Sequence, residues 1–428
     1  MLLVSMLAIL FIFSLIGMEI AWAIGFAAFG YLVLSQFEPF GTPLVLFSQL
    51  MIVGLNGYIL VAIPLFIFAG ELMNKSGVTH RIVALASAIV GHVHGGLANV
   101  GVVANFIMSG ISGSALADAA ATGTVLVPEM NKRGFPPSFS SAVIASAATV
   151  GPIVPPSISF VLLGAIAEVS VGRLFMGGVI PGIIMFLTMF VLTYWISKKK
   201  NYPVEERATL KDQGNALVNG FLALLAPLFV VGSIVGGIAT PTEAAGMGAA
   251  GAMLIAWQRK TLTIASFMDV LRDTAATSAK LFMVLFGALI FSNFVNRAGL
   301  PDGLINIVNS FDASPMGVVF IILLIYLLLG CVFESLSMIL LTVPIFAPVV
   351  EGLGFDLIWF GILVVVVTEI SLITPPIGLN VFVLKGVLKD VAIKTIFKGV
   401  TPFWIADIFR LTLLALVPAI SLFLPSMM

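Results

Sequence analysis

The sequence predicts an all-α polytopic membrane protein made of two similar halves. Of its 428 residues, 60% are hydrophobic and only 9% are charged, whereas about 25% of the residues in a soluble domain are charged. Two apolar stretches are interrupted by paired prolines, Pro155-Pro156 and Pro375-Pro376. Proline cannot continue a helix, and broken backbone at membrane depth is tolerated only inside protein or beside a cavity. We therefore expect two broken helices within membrane-spanning sequence.

An internal duplication relates the two halves. Pro156 in the first half matches Pro376 in the second. Three other pairs of landmarks are separated by nearly the same distance along the chain: Asn74-Lys-Ser-Gly77 with Asn296-Arg-Ala-Gly299, Gly134-Phe135 with Gly354-Phe355, and Val127-Pro128 with Val343-Pro344. By the last pairing, Asp118 and Glu334 each precede their proline by ten residues, so this position is acidic in both halves. Matching interrupted segments in two halves are the best sequence pointer to the binding site of a secondary transporter.

Residues 1–57 predict N-terminal scaffold spans and an interfacial arm. Leu2–Leu15 and Ile20–Leu34 predict two spans, the first of them a span rather than a cleaved signal because no basic leader precedes it. Pro43–Val53 is too short to cross a membrane, since a span needs ~20 residues. We expect it to lie along the interface.

Residues 58–197 predict the first repeat. Two short apolar segments flank Ser109–Ser114, where glycine and serine let the backbone approach a ligand closely. This pattern predicts a re-entrant helical hairpin with its tip at 109–118, followed by a broken helix at 149–160. Val169–Gly177 then predicts an interfacial arm, and Ile180–Ile196 a span.

The remaining sequence repeats this plan after a linker. Residues 198–216 predict a cytoplasmic linker because they begin with Lys198-Lys199-Lys200, and residues 217–260 predict scaffold spans. Residues 261–428 predict the second repeat, with a hairpin tip at 330–337 and a broken helix at 373–380. Its arms and the spans that follow them are Ile264–Ala279 with Leu281–Phe294, and Asp390–Gly399 with Phe403–Leu424.

Several classes of function are disfavoured by the composition. Twenty basic and twenty acidic residues cancel, so nucleic-acid binding is not expected. The single cysteine, Cys331, excludes an intrachain disulfide, and the sequence has no glycine-rich phosphate loop with lysine. An intramembrane serine protease, with Ser114 as nucleophile and one of three histidines (His80, His92, His94) as base, is the enzymatic alternative. The second half repeats the architecture without any histidine, which disfavours this alternative.

Oxygen-bearing groups cluster at the predicted tips and breaks. Sodium needs several oxygens at one point, and carbonyls freed by unwound helices supply them in transporters. The first half offers oxygens at Ser109, Ser112 and Ser114 and the carbonyls of Gly151 and Val154. The second half offers Thr374, Gly378 and Asn380, opposite Gly330, Glu334 and Ser337. The structural alternative is that these small residues only pack.

Four residues are candidates for contacting a substrate. A carboxylate at membrane depth, as at Asp118, usually faces a cavity or a partner; the alternative is a helix cap or a structural ion pair. Ser157 and Ser159 stand just past the first break, where a helix N-terminus would attract an anionic group. Arg297 is able to hold a carboxylate through two parallel hydrogen bonds, with interfacial anchoring as its alternative.

The motifs together resemble the large membrane subunit (DctM/SiaM type) of tripartite ATP-independent periplasmic (TRAP) transporters. The segments that carry the resemblance are Ser112-Gly-Ser-Ala-Leu-Ala-Asp118, Val127-Pro-Glu-Met130, Gly151-Pro-Ile-Val-Pro-Pro-Ser157 and Thr374-Pro-Pro-Ile-Gly-Leu-Asn380. The resemblance covers essentially the whole chain. It implies an inverted-repeat, elevator-type fold of the ion-transporter superfamily, with two re-entrant hairpins and two broken helices.

The resemblance also implies a function, a location and partners. It implies sodium-driven uptake of an organic acid across the bacterial inner membrane, with sialic acid favoured and a C4-dicarboxylate next. The expected partners are a small four-span membrane subunit (SiaQ/DctQ-like), which is not fused to this chain, and a periplasmic substrate-binding protein. A single-chain carboxylate/sodium symporter of the same superfamily is the alternative.

Carried over by motif, the resemblance assigns residues to each site. One sodium site would use Ser112, Gly151 and Val154, and the other would use Gly330, Thr374 and Gly378. The substrate would contact Ser114, Asp118, Ser159 and Arg297.

Overall fold

The computed structural model describes residues 8–10, 12, 13, 16, 18, 20–35, 57–297, 299–301, 303–305, 314–331, 333–388 and 391–428. The predicted interfacial helix Pro43–Val53 and most of the predicted first span Leu2–Leu15 lie outside these residues. Within them every regular element is helical, with no strand. The all-α prediction is therefore confirmed for the described part of the chain.

The helices follow the order expected from the sequence. Up to the linker they are α1 (Ile20–Ser35), α2 (Ala62–Lys75), α3 (Val78–Val90), α4 (Gly96–Ser112), α5 (Ala115–Lys132), α6 (Pro137–Ala148), α7 (Ile158–Ile166) and α8 (Val171–Lys200). After it come α9 (Leu210–Val235), α10 (Pro241–Gln258), α11 (Ile264–Arg297), α12 (Pro315–Leu329), α13 (Ser335–Gly352), α14 (Leu357–Ser371), α15 (Leu379–Val387), α16 (Ile393–Leu416) and α17 (Ala419–Leu422). Short 3₁₀ turns occupy Tyr58–Val61 and Pro425–Met427.

Side-chain caps restart the helices after each interruption. Helix starts leave backbone N–H groups without intrahelical partners, and these groups are costly to bury in a membrane protein. Ser114 caps α5 by accepting from the N–H of Ala117, and Ser157 caps α7 by accepting from the N–H of Phe160. Glu334 does the same for α13 through the N–H of Ser337. Polar residues at the tips and breaks thus have a local structural function.

The two repeats share one helix register. Helices α5 and α13 have the same length, 18 residues. The interval along the chain from the start of α5 to the start of α6 equals the interval from the start of α13 to the start of α14. The short helices α7 and α15 also have equal lengths, and their starts agree with this register to within one residue.

This register corrects one pairing made from the sequence. Helix α13 contains two prolines, and the second, Pro348, occupies the fourteenth position of its helix, as Pro128 does in α5. Matching Pro128 with Pro344 is therefore one helical turn out of register. Glu334 corresponds to the capping residue Ser114, and Met338 stands where Asp118 does, at the fourth position of the helix. The expectation of an acidic residue at this position in both halves is wrong.

The predicted arms are continuous with the spans that follow them. Helix α8 runs unbroken for 30 residues through Pro181, α11 runs for 34 residues, and α16 runs for 24 residues through Pro402. Glycine and proline are tolerated in membrane helices because neighbouring groups satisfy the freed backbone. At Gly178 the glycine permits close packing, since a Cβ there would lie 2.5 Å from the carbonyl oxygen of Ile153.

The long helices identify a multi-pass membrane protein. Among the described residues, five helical segments are long and apolar enough to cross a membrane: Tyr58–Lys75, Val171–Lys200, Ile264–Asn293, Ser335–Gly352 and Ile393–Leu416. On α8 the side chains of Leu187, Val191 and Trp195 are spaced four apart and at least half exposed. A stripe of this kind suits contact with lipid. The second of the predicted hairpins includes one of these five segments, so its re-entrant character stays a prediction.

The two repeats interlock at their tips and breaks. The second-repeat helix α13 packs against α7, which leaves the first break, and α15 packs against α5 of the first hairpin. The side chain of Asn380 in α15 donates a 3.1 Å hydrogen bond to the buried carbonyl oxygen of Ala145 in α6. These contacts join the functional segments of both halves into one unit.

Candidate functional site

Both hairpin tips and the first break border a cavity of about 810 Å³, whereas residues 373–380 of the predicted second break are absent from its lining. From the first repeat it is lined by Ser112–Ala117, Pro152, Ile158 and Ser159, and from the second by Glu334–Ser337, Glu369 and Leu372. The remaining lining comes from α1, α2 and α11, through residues that include Trp22, Glu71 and Lys280. A cavity of this size, enclosed by apolar side chains with a few polar groups, suits a small organic ligand.

Three helix N-termini face this cavity. Its lining includes the first residues of α5, α7 and α13. Aligned peptide dipoles and free N–H groups make a helix N-terminus attractive to anions. Ser114 and Ser159, two of the predicted substrate residues, stand at two of these starts and line the cavity. The carboxylate of Glu334 already caps the third start.

Asp118 lies directly behind the first tip. It is fully buried, and its Oδ1 atom accepts a 2.6 Å hydrogen bond from the hydroxyl of Ser112. Its Oδ2 atom has no hydrogen-bond partner among the described residues, and a Cβ on Gly151 would lie only 2.9 Å from it. The same Cβ would lie 3.2 Å from the carbonyl oxygen of Ala148. Three of the predicted residues thus meet at a small space that holds an unpaired carboxylate oxygen and a nearby carbonyl.

The first tip also touches the first break at Gly113. A Cβ on this glycine would lie 3.4 Å from the amide nitrogen of Ile158 and 3.5 Å from the carbonyl oxygen of Pro156. Val154, the remaining residue of the predicted first sodium site, lies in the same break but is absent from the cavity lining. Its side chain packs on Gly182 of α8, where a Cβ would lie 2.7 Å from Val154 Cγ2.

The second tip and break make equally close contacts. A Cβ on Gly330 would overlap the hydroxyl oxygen of Ser371, and the Cys331 thiol donates to the carbonyl oxygen of Pro375 at 3.3 Å. Gly378 begins α15 with a left-handed φ of +61°, and a Cβ on it would lie 3.3 Å from the carbonyl oxygen of Thr374. Gly330, Thr374 and Gly378 therefore belong to one contact region, which lies behind the cavity lining.

The hydroxyl of Thr374 is occupied by structural hydrogen bonds. It donates to the carbonyl oxygen of Ile370 at 2.8 Å and accepts from the indole Nε1 of Trp404 at 2.8 Å. The backbone carbonyl is consequently the group of Thr374 better placed to bind a cation. Of the predicted substrate residues, Arg297 ends α11, but its side chain lies outside the described part of the structure.

Sequence reasoning missed Glu369. This residue is fully buried in α14 and lines the cavity. The hydroxyl of Ser335 is its polar neighbour, and Glu334 and Asp118 are close enough to repel it electrostatically. A charged residue inside the apolar run Val364–Ser371 was the available signal, since such residues in membrane segments usually mark ligand pathways. Comparison of the two repeats did not point to Glu369, because the corresponding residue in the first repeat is the uncharged Thr149.

Two other pairings that involve charged residues are structural. Asp407 and Arg410 form a buried 2.8 Å ion pair one turn apart on α16. Glu243 completes a capping box with Thr240 at the start of α10. Neither pair lines the cavity.

Comparison with known proteins gives a consistent result across the chain. The family model described as the DctM component of the tripartite ATP-independent periplasmic transporter matches residues 7–420. The chain is 33% identical over 412 residues to the sialic acid TRAP transporter large permease SiaM of Vibrio cholerae, covering 96% of this chain and 95% of that protein. It is 34% identical over 386 residues to the 2,3-diketo-L-gulonate large permease YiaN of Escherichia coli, covering 89% and 90%. It is 32% identical over 370 residues to the C4-dicarboxylate large permease DctM of Pseudomonas aeruginosa, covering 86% of each.

Two solved structures share the fold. The YdaH transporter of Alcanivorax borkumensis superimposes with a TM-score of 0.57 over 85% of each chain, at 14% identity. MtrF of Neisseria gonorrhoeae gives the same TM-score and identity over 85% of this chain and 80% of that one. At this identity the likeness concerns the fold alone.

Proposed function

This chain belongs to the DctM family of tripartite ATP-independent periplasmic transporters, and we propose that it carries an organic acid through the membrane by coupling to sodium. It is a large permease subunit and not an enzyme, since the matched relatives are named transporter permeases. The serine-protease alternative is therefore wrong. Consistently, the Ser114 hydroxyl serves as the cap of α5.

The arrangement of Asp118 beside Gly151 is the observation that carries the proposal of cation coupling. An ionised carboxylate inside a membrane protein is costly unless a cation or a hydrogen-bond network pairs with it. Asp118 has one hydrogen bond on Oδ1, a free Oδ2, and no ion pair among the described residues. Hard cations bind to oxygen ligands. Ser112, Asp118 and the backbone around Gly151 fit a sodium ion at the first site, and Gly330, Thr374 and Gly378 would hold the second.

An organic acid is the substrate class that suits the cavity. Three helix N-termini favour an anionic group, and the relatives are named for sialic acid, diketogulonate and C4-dicarboxylates. We favour sialic acid, with a C4-dicarboxylate next. Ser114 and Ser159 would contact it directly, with Asp118 acting through the adjoining cation site.

The proposed mechanism moves the tips and breaks as a unit. Cations at both tip-and-break sites would offset the cost of carrying an anion through the bilayer. The hairpins and broken helices would then shift together against the arms and remaining spans in an elevator-type movement. The interlocking of α13 with α7 and of α15 with α5 supports treating these segments as one body.

The expected setting is the bacterial inner membrane, with two partners. A small four-span membrane subunit would complete the permease, and a periplasmic binding protein would deliver the substrate. The names of the matched relatives support this, because they describe large permease subunits of periplasmic transporters.

Uptake into proteoliposomes tests the proposal. Vesicles containing this chain and its small subunit receive radiolabelled sialic acid under an inward sodium gradient, with and without the binding protein. We expect uptake only when both the gradient and the binding protein are present. Uptake without the binding protein would favour the single-chain symporter. Absence of sodium-driven uptake for both sialic acid and C4-dicarboxylates would overturn the proposal.

A further inference from the structure

We propose that Lys280 supplies the positive charge that holds the carboxylate of the transported acid, from the part of the cavity lining that α11 provides. This inference rests on the proposed uptake of an organic acid and adds a specificity-determining residue to it. Arg297, the residue that the sequence suggested for this task, stands at the far end of the same helix.

Lys280 lies at the centre of the face that α11 turns to the cavity. Thr277, Lys280, Leu281 and Val284 all line the cavity, and their spacing of three, four and seven residues places them on one helix face. Lys280 is exposed, whereas Val284 is buried. The lysine therefore stands where α11 passes from its exposed half to its buried half, at the mouth of the cavity.

The charges around the cavity call for a cation. Its lining contains three carboxylates, Glu71, Glu334 and Glu369, and among the described lining residues Lys280 is the only lysine or arginine. An anion entering this space is repelled by the acidic groups unless a positive charge offsets them. Helix N-termini contribute only partial charges, of roughly half an elementary charge each.

Lys280 is also free to bind a ligand. The ion pairs of the described residues join Arg133 to Glu129 and Glu205, and Arg410 to Asp407. Lys280 has no hydrogen bond or ion pair with any described residue. A flexible ammonium with three donors is suited to meet a carboxylate whose position changes during entry. A lysine serving only as an interfacial anchor would extend towards the lipid headgroups, but this one borders the cavity.

The helix itself provides a matched control. Arg272 is exposed on α11 two turns before Lys280, carries the same charge, and does not line the cavity. Replacing it tests the general effect of removing a positive charge from this helix. Lys280→Arg tests whether charge is sufficient, and Lys280→Gln removes the charge while keeping a polar side chain of similar length.

The experiment measures the initial rate of sodium-driven uptake against sialic acid concentration, with the binding protein present. For Lys280→Gln we expect an apparent KM raised about tenfold or more, as for loss of one charge-assisted hydrogen bond. The maximal rate and the sodium concentration for half-maximal uptake should change little. Lys280→Arg and Arg272→Gln should stay within about twofold of the wild type. An unchanged KM in Lys280→Gln, or an equal rise in Arg272→Gln, would overturn the assignment.

A chemical rescue separates charge from packing. In a Cys331→Ala background, a Lys280→Cys variant is alkylated either with bromoethylamine, which rebuilds a side chain of lysine length and charge, or with iodoacetamide, which leaves it neutral. We expect only the first treatment to restore the low KM, and equal recovery by both would contradict the proposal. If wild-type vesicles transport only C4-dicarboxylates, the same series is run with succinate. If wild-type vesicles transport no organic acid, the proposed function and this inference fail together. If wild-type uptake is normal and the KM of Lys280→Gln is unchanged, this inference alone fails.

Discussion

The free carboxylate oxygen of Asp118 faces Gly151 so closely that a Cβ on the glycine would lie 2.9 Å from it. One residue belongs to the first hairpin and the other to the first break. Any ion bound at this oxygen would therefore hold the two segments together. The first two predictions concern this relationship.

Replacing Gly151 by alanine should weaken the coupling of uptake to sodium. The added methyl group would meet Asp118 Oδ2 at 2.9 Å and the Ala148 carbonyl oxygen at 3.2 Å, filling the space in which a cation would bind. We expect the half-saturating sodium concentration to rise about tenfold or more, which is measured by uptake at graded sodium concentrations. Gly251→Ala is the control, because a Cβ there meets nothing within 4 Å. Normal sodium dependence in Gly151→Ala would count against the site.

Replacing Asp118 by asparagine should abolish coupling while preserving the fold. The amide oxygen is still able to accept from the Ser112 hydroxyl, which lies 2.6 Å from Oδ1 in the native residue, but the negative charge is lost. We expect uptake to fall at least about tenfold, since hydrogen bonds and contacts to charged groups are worth about 1.5–3 kcal/mol. Insertion and thermal stability in detergent are measured in parallel. Uptake at the wild-type level would show that the carboxylate charge is not needed.

Replacing Gly330 by alanine should destabilise the second tip. The new Cβ would overlap both the hydroxyl oxygen and the Cβ of Ser371, and overpacking of this kind costs about 1–3 kcal/mol. We expect a lower apparent Tm for the purified protein. Adding Ser371→Gly should restore part of the loss, because it removes both atoms. Adding Ser371→Ala should not, because the Cβ remains. Equal recovery by both second changes would contradict this contact.

Replacing Asn380 by alanine should weaken the connection between the two repeats. Its side chain donates a 3.1 Å hydrogen bond to Ala145 and is fully buried. Loss of the donor leaves a buried carbonyl unpaired, at a cost of about 1–3 kcal/mol. The apparent Tm should fall, and Asn380→Leu, an apolar side chain of similar size that also lacks the donor, should show a similar loss. Asn296→Ala, at an exposed position, is the control and should leave the Tm unchanged. An equal fall of the Tm in this control would show that the hydrogen bond of Asn380 is not the cause of the loss.

The helical architecture and the two breaks could be predicted from the sequence because proline acts locally. Pro155-Pro156 and Pro375-Pro376 interrupt helices irrespective of their neighbours, and the interruptions lie where the sequence placed them. The ends of the predicted arms could not be predicted in this way. Val169–Gly177 and Ile180–Ile196 form one helix, because Gly178 packs against Ile153 and does not end the helix. That contact joins residues in separate segments of the chain, so no local sequence pattern indicates it.

The residues that come together at the first tip and break could be predicted from the sequence more completely than those of the second. Ser112 and Gly151 of the predicted first sodium site lie beside Asp118, which the sequence assigned to the substrate, since the tip and the break supply these residues from short segments of the same repeat. Lys280 and Glu369 were missed because they lie outside the predicted tips and breaks, and only the cavity brings them together. Charge in an apolar helix was the available signal, and only the packing of the helices shows that both residues reach the same space.

The common helix register carries a consequence for the two proposed cation sites. The two copies of the repeat keep the same helix register to within one residue but differ in the position of their buried carboxylate. The first copy has its buried carboxylate in the helix after the tip, at Asp118, and the second has it in the helix before the break, at Glu369. Two half-sites that differ in their carboxylates need not bind a cation equally well, so under the proposed mechanism a protein rebuilt from two first halves would be symmetrical in shape and would bind its two ions alike.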